Sequence, residues 1–138
     1  MIILDTNVLS EFTRAVPAPM LVAWFGSQDV TGLWTTTITE AEMLVGLALL
    51  PTGRRKNELS LAVEKLFGGF DQRILPFDRN AARELPAIVT QRRSARLQTR
   101  DADGQIAAIA RAHDAAVATR NISDFEHCGI RIINPWTL

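Results

Sequence analysis

Four acids stand where an isolated carboxylate is costly. Asp5 closes the apolar run Ile2-Ile3-Leu4. Glu42 lies on or beside a helical face with Ile38, Ala41 and Val45. Asp103 sits in the first turn of a helix, on the face shared by Ile106, Ala107 and Ala110. Asp124 follows the apolar run Ala116-Val117-Ala118 by a few residues. Acids beside apolar stripes need a partner or a metal. Two carboxylates about 4 Å apart repel by roughly 4 kcal/mol at an effective dielectric near 20, so a converged set must be relieved by protons or divalent cations. Oxygen-only donors favour Mg²⁺ or Mn²⁺ over zinc. Each acid also has a plainer reading. Asp5 can cap a helix, Glu42 can pair with an Arg, and Asp124 can be a turn residue. Asp103, like Asp101, can be a first-turn acid favoured by the helix dipole. The set and its order carry the chemistry, since no single member does.

The elements that must position these acids follow from apolar periodicity. Residues 1–4, 33–36, 74–75, 116–118 and 131–133 read as short buried strands. Residues 6–13, 19–27, 54–67, 79–97 and 101–113 read as helices, and a further helix starts at a Thr37 or Thr39 cap and breaks at Pro51-Thr52-Gly53. Its apolar face is expected at Ile38, Ala41, Val45 and Leu49. Pro86 predicts a kink or break in the fifth helix. Short strands alternating with longer helices predict an α/β fold with a central parallel sheet. In such sheets the site lies beyond the carboxyl ends of the strands, where the strand order reverses. Asp5 and residues 119–124 both reach that edge.

With 138 residues the chain has the length of one domain, 1–138. Hydrophobic residues at 47% and charged residues at 22% exclude a disordered tail protein, a collagen and a disulfide-rich mini-protein. The single cysteine, Cys128, leaves no CxxC for zinc and no intramolecular disulfide. The first residues lack a basic leader, and no apolar run approaches a membrane span, so a cytoplasmic protein without membrane contact is expected. Fifteen basic and fifteen acidic residues cancel, which argues against coating nucleic acid by bulk charge. Local clusters remain at Arg54-Arg55-Lys56 and at Arg92, Arg93, Arg96 and Arg100. On a helix, Arg92, Arg96 and Arg100 share one face, readable as a solvated face or as a stripe contacting RNA phosphates.

The motifs together resemble the PIN-domain ribonucleases, and within them the toxins of VapBC-type toxin–antitoxin pairs, in the FitB-like branch. Ile3-Leu4-Asp5-Thr6-Asn7-Val8-Leu9-Ser10-Glu11 is similar to that family's first motif, an apolar strand followed by Asp-Thr-Asn. Thr37-Ile38-Thr39-Glu40-Ala41-Glu42 is similar to the second, and Asp101-Ala102-Asp103-Gly104-Gln105-Ile106-Ala107-Ala108 to the third. Ala118-Thr119-Arg120-Asn121-Ile122-Ser123-Asp124-Phe125 is similar to the fourth, and Asn134-Pro135-Trp136 to the closing segment.

The resemblance implies a PIN-like fold and cleavage of RNA by water activated at Mg²⁺, with Mn²⁺ as a substitute. It implies 5′-phosphate and 3′-hydroxyl ends. Asp5, Glu42, Asp103 and Asp124 become catalytic acids; Asp5, Glu42 and Asp103 become metal ligands, with Asp124, Asn121 or a water held by both as the fourth. Asp103 is preferred to Asp101 because the family's acid directly precedes the Gly-x-Ile-Ala pattern. Thr6, Asn7 and Thr119 become residues that position ligands or phosphate oxygens. The implied partners are RNA, a cognate VapB/FitA-like antitoxin, a second copy of the chain in a homodimer, and DNA only through the antitoxin. Trp24, Phe25, Leu47 and Leu50 are candidates for a groove taking an antitoxin helix, against the plainer reading of core.

Other readings fit less well. A haloacid-dehalogenase-type phosphatase needs a second Asp where Asn7 stands. A phosphorylated receiver domain wants a late Lys, and none follows Lys65. His113 and His127 are the only histidines and suggest no His-dependent ribonuclease. The remaining alternative is a PIN-fold module that binds nucleic acid and antitoxin without turnover.

Overall fold

The computed structural model describes residues 1–137. Five parallel strands form one sheet in the order β3-β2-β1-β4-β5. They are β1 (Ile2–Leu4), β2 (Leu33–Thr36), β3 (Ile74–Leu75), β4 (Ala116–Ala118) and β5 (Ile132–Ile133). Ile3 pairs with Trp34 on one side and with Val117 on the other, so β1 is central and the order reverses between β1 and β4. Six helices surround the sheet: α1 (Thr6–Phe12), α2 (Pro19–Gly26), α3 (Thr37–Ala48), α4 (Arg54–Gly68), α5 (Arg79–Ser94) and α6 (Asp101–Ala112).

Both faces of the sheet are covered, which is why β1, β3, β4 and β5 are continuously apolar rather than alternating, while β2 ends on the buried Thr35 and Thr36. Ile3 and Val117 point into a core with Ile88, Ile106, Ile109 and Phe125. Their neighbours Leu4 and Ala118 point to the opposite core, with Val8, Leu21, Trp24, Met43 and Phe67. The period of two in a strand divides consecutive residues between the two layers.

Several local expectations are corrected. The α3 cap is Thr36, whose hydroxyl accepts from the Thr39 amide at 3.1 Å. The buried face of α3 is Thr39, Met43 and Leu47. Of the expected face only Ile38 packs against the core; Ala41 is exposed, Val45 is 57% and Leu49 80% exposed. Apolar type alone misplaced the helix because Thr39 is fully buried through its hydroxyl contacts.

Pro86 does not break α5, which runs from Asp78, its cap, to Ser94. Pro86 and Ala82 are both exposed, so the carbonyl deprived of its i+4 donor faces solvent. α5 stops three residues earlier than expected. Arg96 adopts φ +61°, the Leu97 amide donates to the Arg92 carbonyl at 2.8 Å, and the Arg96 amide donates to Arg93. That is a Schellman closure with Arg in place of the usual Gly.

Candidate active site

The first acid is set by the sheet. The Asp5 amide donates to the Ala118 carbonyl at 3.0 Å, fixing Asp5 at the carboxyl end of β1 beside β4. Its side chain is buried, and Oδ2 accepts from Asn7 Nδ2 and from Thr119 Oγ1, each at 2.9 Å. Asn7 Nδ2 also donates to Thr119 Oγ1 at 3.2 Å, and Asn7 Oδ1 accepts from the Arg120 amide. The Asn121 amide closes the ring by donating to Thr119 Oγ1 at 3.0 Å. Burial raises the Asp5 pKa, and the Glu42 charge raises it further. The Thr6 amide and the Thr119 and Asn7 donors pull it back. A carboxylate desolvated this far needs such donors to stay in place.

Glu42 reaches the same region from α3. Its Oε1 accepts from Thr6 Oγ1 at 2.7 Å. Thr6 Oγ1 lies 3.4 Å from Thr39 Oγ1, which lies 3.4 Å from the Thr36 hydroxyl. A line of threonine hydroxyls thus ties the α3 cap to the first turn of α1 and to Glu42.

Asp103 comes from the first turn of α6. It is half-buried, whereas Asp101 is exposed. Gly104, the next residue, lets this turn press close, since a Cβ there would meet Thr99 Cγ2 at 2.8 Å and Leu85 Cδ1 at 3.2 Å. The Asp103 pKa is raised to about 6, chiefly by burial and then by the Asp124 charge. Arg100 opposes the rise, while Asp5 and Glu42 add to it. Four acids from β1, α3, α6 and the turn Ile122–Asp124 therefore share one electrostatic field. A pKa near 6 in a cleft, with identified causes, marks a candidate site.

Asp5, Glu42 and Asp103 line one cleft of ≈ 630 Å³, and Thr6, Asn7 and Asn121 line it with them. Asp124 does not line it, although its charge acts on Asp103. Among the described residues, no three acidic, histidine or cysteine side chains stand close enough to form a metal cage alone. The donors are nonetheless all hard oxygens, and the raised acids are the groups a divalent cation would relieve.

The arginine stripe does not exist as a stripe. Arg92 is 3% exposed, and its guanidinium is a clamp. Nε donates to Thr99 Oγ1 at 3.0 Å and Nη2 to the Gln98 carbonyl at 2.8 Å. Nη1 donates to the carbonyls of Glu126 at 2.7 Å and Ser123 at 3.2 Å. It joins the approach to α6 to the segment carrying Asp124 and is withdrawn from any RNA. Arg96 is exposed in the left-handed turn, off the helix. Only Arg100 of the three lines the cleft. The helix ends after Ser94, so the spacing of four has no shared face.

The cleft is instead bordered by Arg14, Arg55, Arg100 and Arg120, with Trp136. Arg120 was legible in principle, since it sits between Thr119 and Asn121. Arg14 pairs with Glu11 at 3.3 Å.

The groove candidates divide. Trp24 and Leu47 are each 9% exposed and belong to the core beneath α2 and α3, and Leu50 packs against the same core. Phe25 lines an apolar groove of ≈ 450 Å³ with Phe12, Leu33, Leu66 and Phe70. Leu47 also edges a second groove, of ≈ 530 Å³, with Leu44, Val63 and Phe67. Trp24 lines neither, because its ring is consumed in packing. Among the described residues no helix is long and apolar enough to cross a membrane.

Residues 2–129 match the family described as PIN domain. VapC ribonuclease Y4jK of Sinorhizobium fredii is 41% identical over 99% of this chain and 98% of its own length. Toxin FitB of Neisseria gonorrhoeae is 39% identical over 99% of both. A structure of FitAB bound to an IR36 DNA fragment superimposes with a TM-score of 0.93 at 40% identity, covering 100% of this chain and 97% of that one.

Proposed function

The chain belongs to the PIN-domain family, and from that premise we propose that it is a Mg²⁺-dependent endoribonuclease acting as the toxin of a toxin–antitoxin pair. The observation that carries the chemistry is the convergence of Asp5, Glu42 and Asp103 on one cleft, with the Asp103 pKa raised to about 6 by burial and by its acidic neighbours. Asp5, Glu42 and Asp103 would hold the cation, with Asn121 or Asp124 completing the set. Water would fill the remaining positions, as Mg²⁺ prefers. The bound cation would supply a Lewis acid for the phosphodiester and acidify the attacking water.

The chain's own residues do the rest. Asn7 and Thr119 fix the orientation of Asp5, and Thr6 fixes that of Glu42. Asp103, whose pKa in the metal-free chain is raised by burial and its acidic neighbours, would be relieved by holding the cation as a carboxylate. Arg100 and Arg120 border the acids and offset their repulsion toward a polyanion.

The partner half of the proposal draws on the likeness to a protein named a toxin and to the FitAB assembly. An antitoxin helix would enter the Phe25 groove with its apolar face. The outward apolar residues of α3, Val45 and Leu49 among them, suit a homodimer.

The test is RNA cleavage by purified, antitoxin-free protein, with product ends typed. Mg²⁺-dependent cuts with 5′-phosphate ends, lost with chelator and in both Asp5→Asn and Asp103→Asn, are expected. Cleavage that persists in chelator sinks the metal mechanism. Stable RNA binding with no cut in any metal turns the reading to the binding module.

A further inference from the structure

Two of the acids stand on elements that no side chain caps. Asp103 is in the first turn of α6 and Asp124 closes the turn Ile122–Asp124, and neither start carries a side-chain cap bond. α3 and α5 do, through Thr36 and Asp78. At the α6 cap stands Arg100, whose guanidinium has no oxygen to accept from a backbone amide. The relative position of Asp103 and Asp124 is therefore set from elsewhere, and the buried Arg92 guanidinium is bonded to both segments. Toward α6, Nη2 donates to the Gln98 carbonyl and Nε to Thr99 Oγ1. The methyl of the same Thr99 abuts Gly104, the residue after Asp103, so closely that a Cβ there would lie 2.8 Å from Thr99 Cγ2. Toward the turn, Nη1 donates to the carbonyls of Ser123 and Glu126, which bracket Asp124. All four acceptors are neutral, and Arg100 is the cation whose charge acts on Asp103. What Arg92 offers the two acids is geometry.

Resting on the metal-nuclease reading, we infer that Arg92 and Thr99 are positioning residues, a strut that holds Asp103 and Asp124 at one separation so that both meet a divalent cation without first being driven together. Like charges part unless they are braced, and a site assembled in advance does not spend binding energy on assembly. A guanidinium suits the task because its donors point in fixed directions in one plane. A lysine carries the same charge as a single point on a flexible stem. An apolar side chain would fill the space without a desolvated charge, so the gain from an arginine here lies in geometry. Stapling of the fold alone is the competing account of Arg92. It predicts a loss of stability with no change in cation affinity while the chain is folded.

The experiment titrates Mn²⁺ alone into the full chain by calorimetry, at a temperature where circular dichroism shows each variant folded. Arg92→Lys keeps the charge and loses the fork, and it weakens Mn²⁺ binding roughly 10- to 100-fold, the range for a contact that orients metal ligands from behind. Asp124→Asn weakens binding too, and the two losses do not add. With Asp124→Asn in place, Arg92→Lys changes the affinity less than about twofold, because no second carboxylate is left to hold. Arg111→Lys is the control. Arg111 lies in the last turn of α6, and its Nη1 donates to the Cys128 carbonyl at 3.3 Å. That variant loosens the same segment away from the acids and keeps the parental affinity. Gly104→Ala drives a methyl against Thr99 and weakens binding. Adding Thr99→Ser, which keeps the hydroxyl and removes Cγ2, restores it.

An Arg92→Lys chain that binds Mn²⁺ as tightly as the parent overturns the strut. So do additive losses from Arg92→Lys and Asp124→Asn, or equal losses from Arg92→Lys and Arg111→Lys. If Arg92→Lys does not fold, Gly104→Ala and its rescue carry the test. Parental affinity in Gly104→Ala, or a loss that Thr99→Ser leaves in place, then overturns the proposal. RNA cleavage by the parent, run in parallel, tests the nuclease reading separately. A parent that binds Mn²⁺ and cuts no RNA removes the nuclease reading and leaves the strut to be judged by the affinities. A parent that neither cuts RNA nor binds Mn²⁺ removes both.

Discussion

On one side of the cleft, Asp5 and Glu42 are wired in place by the Asn7 amide and the Thr119 and Thr6 hydroxyls. On the other, the pKa of Asp103 is governed by burial and the charges of Asp124, Asp5 and Glu42, opposed by Arg100, with no hydrogen bond among its causes. The first side is preorganised, so its oxygens keep their places whatever the charge state. The second is electrostatically strained, so protons and cations change its energy most. A site that must hold a ligand and also respond to one gains from having both kinds of wall.

Replacing one acid on each side separates the walls with the largest effect. Asp5→Ala and Asp103→Asn are both expected to lower metal-dependent cleavage by at least the ~10²–10³-fold typical of removing one electrostatic stabiliser. Their stabilities should diverge. Asp5→Ala strands the buried Thr119 hydroxyl, leaves Asn7 Nδ2 with only its longer bond to Thr119, and is expected to cost about 1–3 kcal/mol. Asp103→Asn removes like-charge repulsion and should raise the melting temperature. Thermal melts without metal in which both variants shift the same way would break the distinction.

Arg92 holds the strained wall together from behind. Arg92→Met leaves Thr99 Oγ1 and three carbonyls without their donor. A loss of about 3 kcal/mol, roughly 10 °C in melting temperature, is expected from denaturant and thermal unfolding. An Arg92→Met protein as stable as the parent would show that the clamp is dispensable.

Milder changes in the wired wall should act on the cation, at a stability cost no larger than that of Asp5→Ala. Asn7→Ala or Thr119→Val is expected to weaken Mn²⁺ affinity 10- to 100-fold, read by calorimetry. Thr119→Val keeps the shape and removes the hydroxyl, so it is the cleaner of the two.

The smallest effect is the pH dependence of the metal-free protein. The Asp103 pKa in the fold, about 6, lies above its ordinary 3.8, and Asp5 is displaced in the same direction. The protonated acids favour the fold. Their stabilising contribution is complete below about pH 4 and is lost as pH rises through about 6. Melts between these limits should show falling stability, and saturating Mg²⁺ should reverse the trend. A flat profile without metal would mean that Asp103 is not strained.

The sequence carried the sheet and the chain positions of the acids, because both depend on local rules. Strands buried on both faces must be apolar along their length, and Asp5 stands out at the end of one for that reason. Thr6, Asn7 and Thr119 sit within three residues of a strand end, so their place beside Asp5 follows from connectivity. The α5 boundary was not legible. Nothing in Ser94-Ala95-Arg96-Leu97 signals a left-handed residue, since the usual glycine is missing. The false stripe of Arg92, Arg96 and Arg100 came from that boundary and from carrying the helical spacing on to Arg100, which lies beyond even the expected end at 97.

Residue types and spacing alone were enough for the α/β layering, the sheet edge reached by Asp5 and residues 119–124, and the oxygen-only character of the acidic donors. These follow from residue type and from periods of two and 3.6 residues. Only the tertiary structure decided which arginine is a clamp and which faces the cleft, which side of α3 is buried, and that Arg120 stacks on Trp136. Each of those turns on a contact between segments far apart in the chain. Arg92 reaches carbonyls at 123 and 126, Thr39 and Glu42 meet Thr6, and β5 brings 136 beside 120. A side chain's role is set by the partner it finds, and local periodicity holds no record of partners sixteen or more residues away.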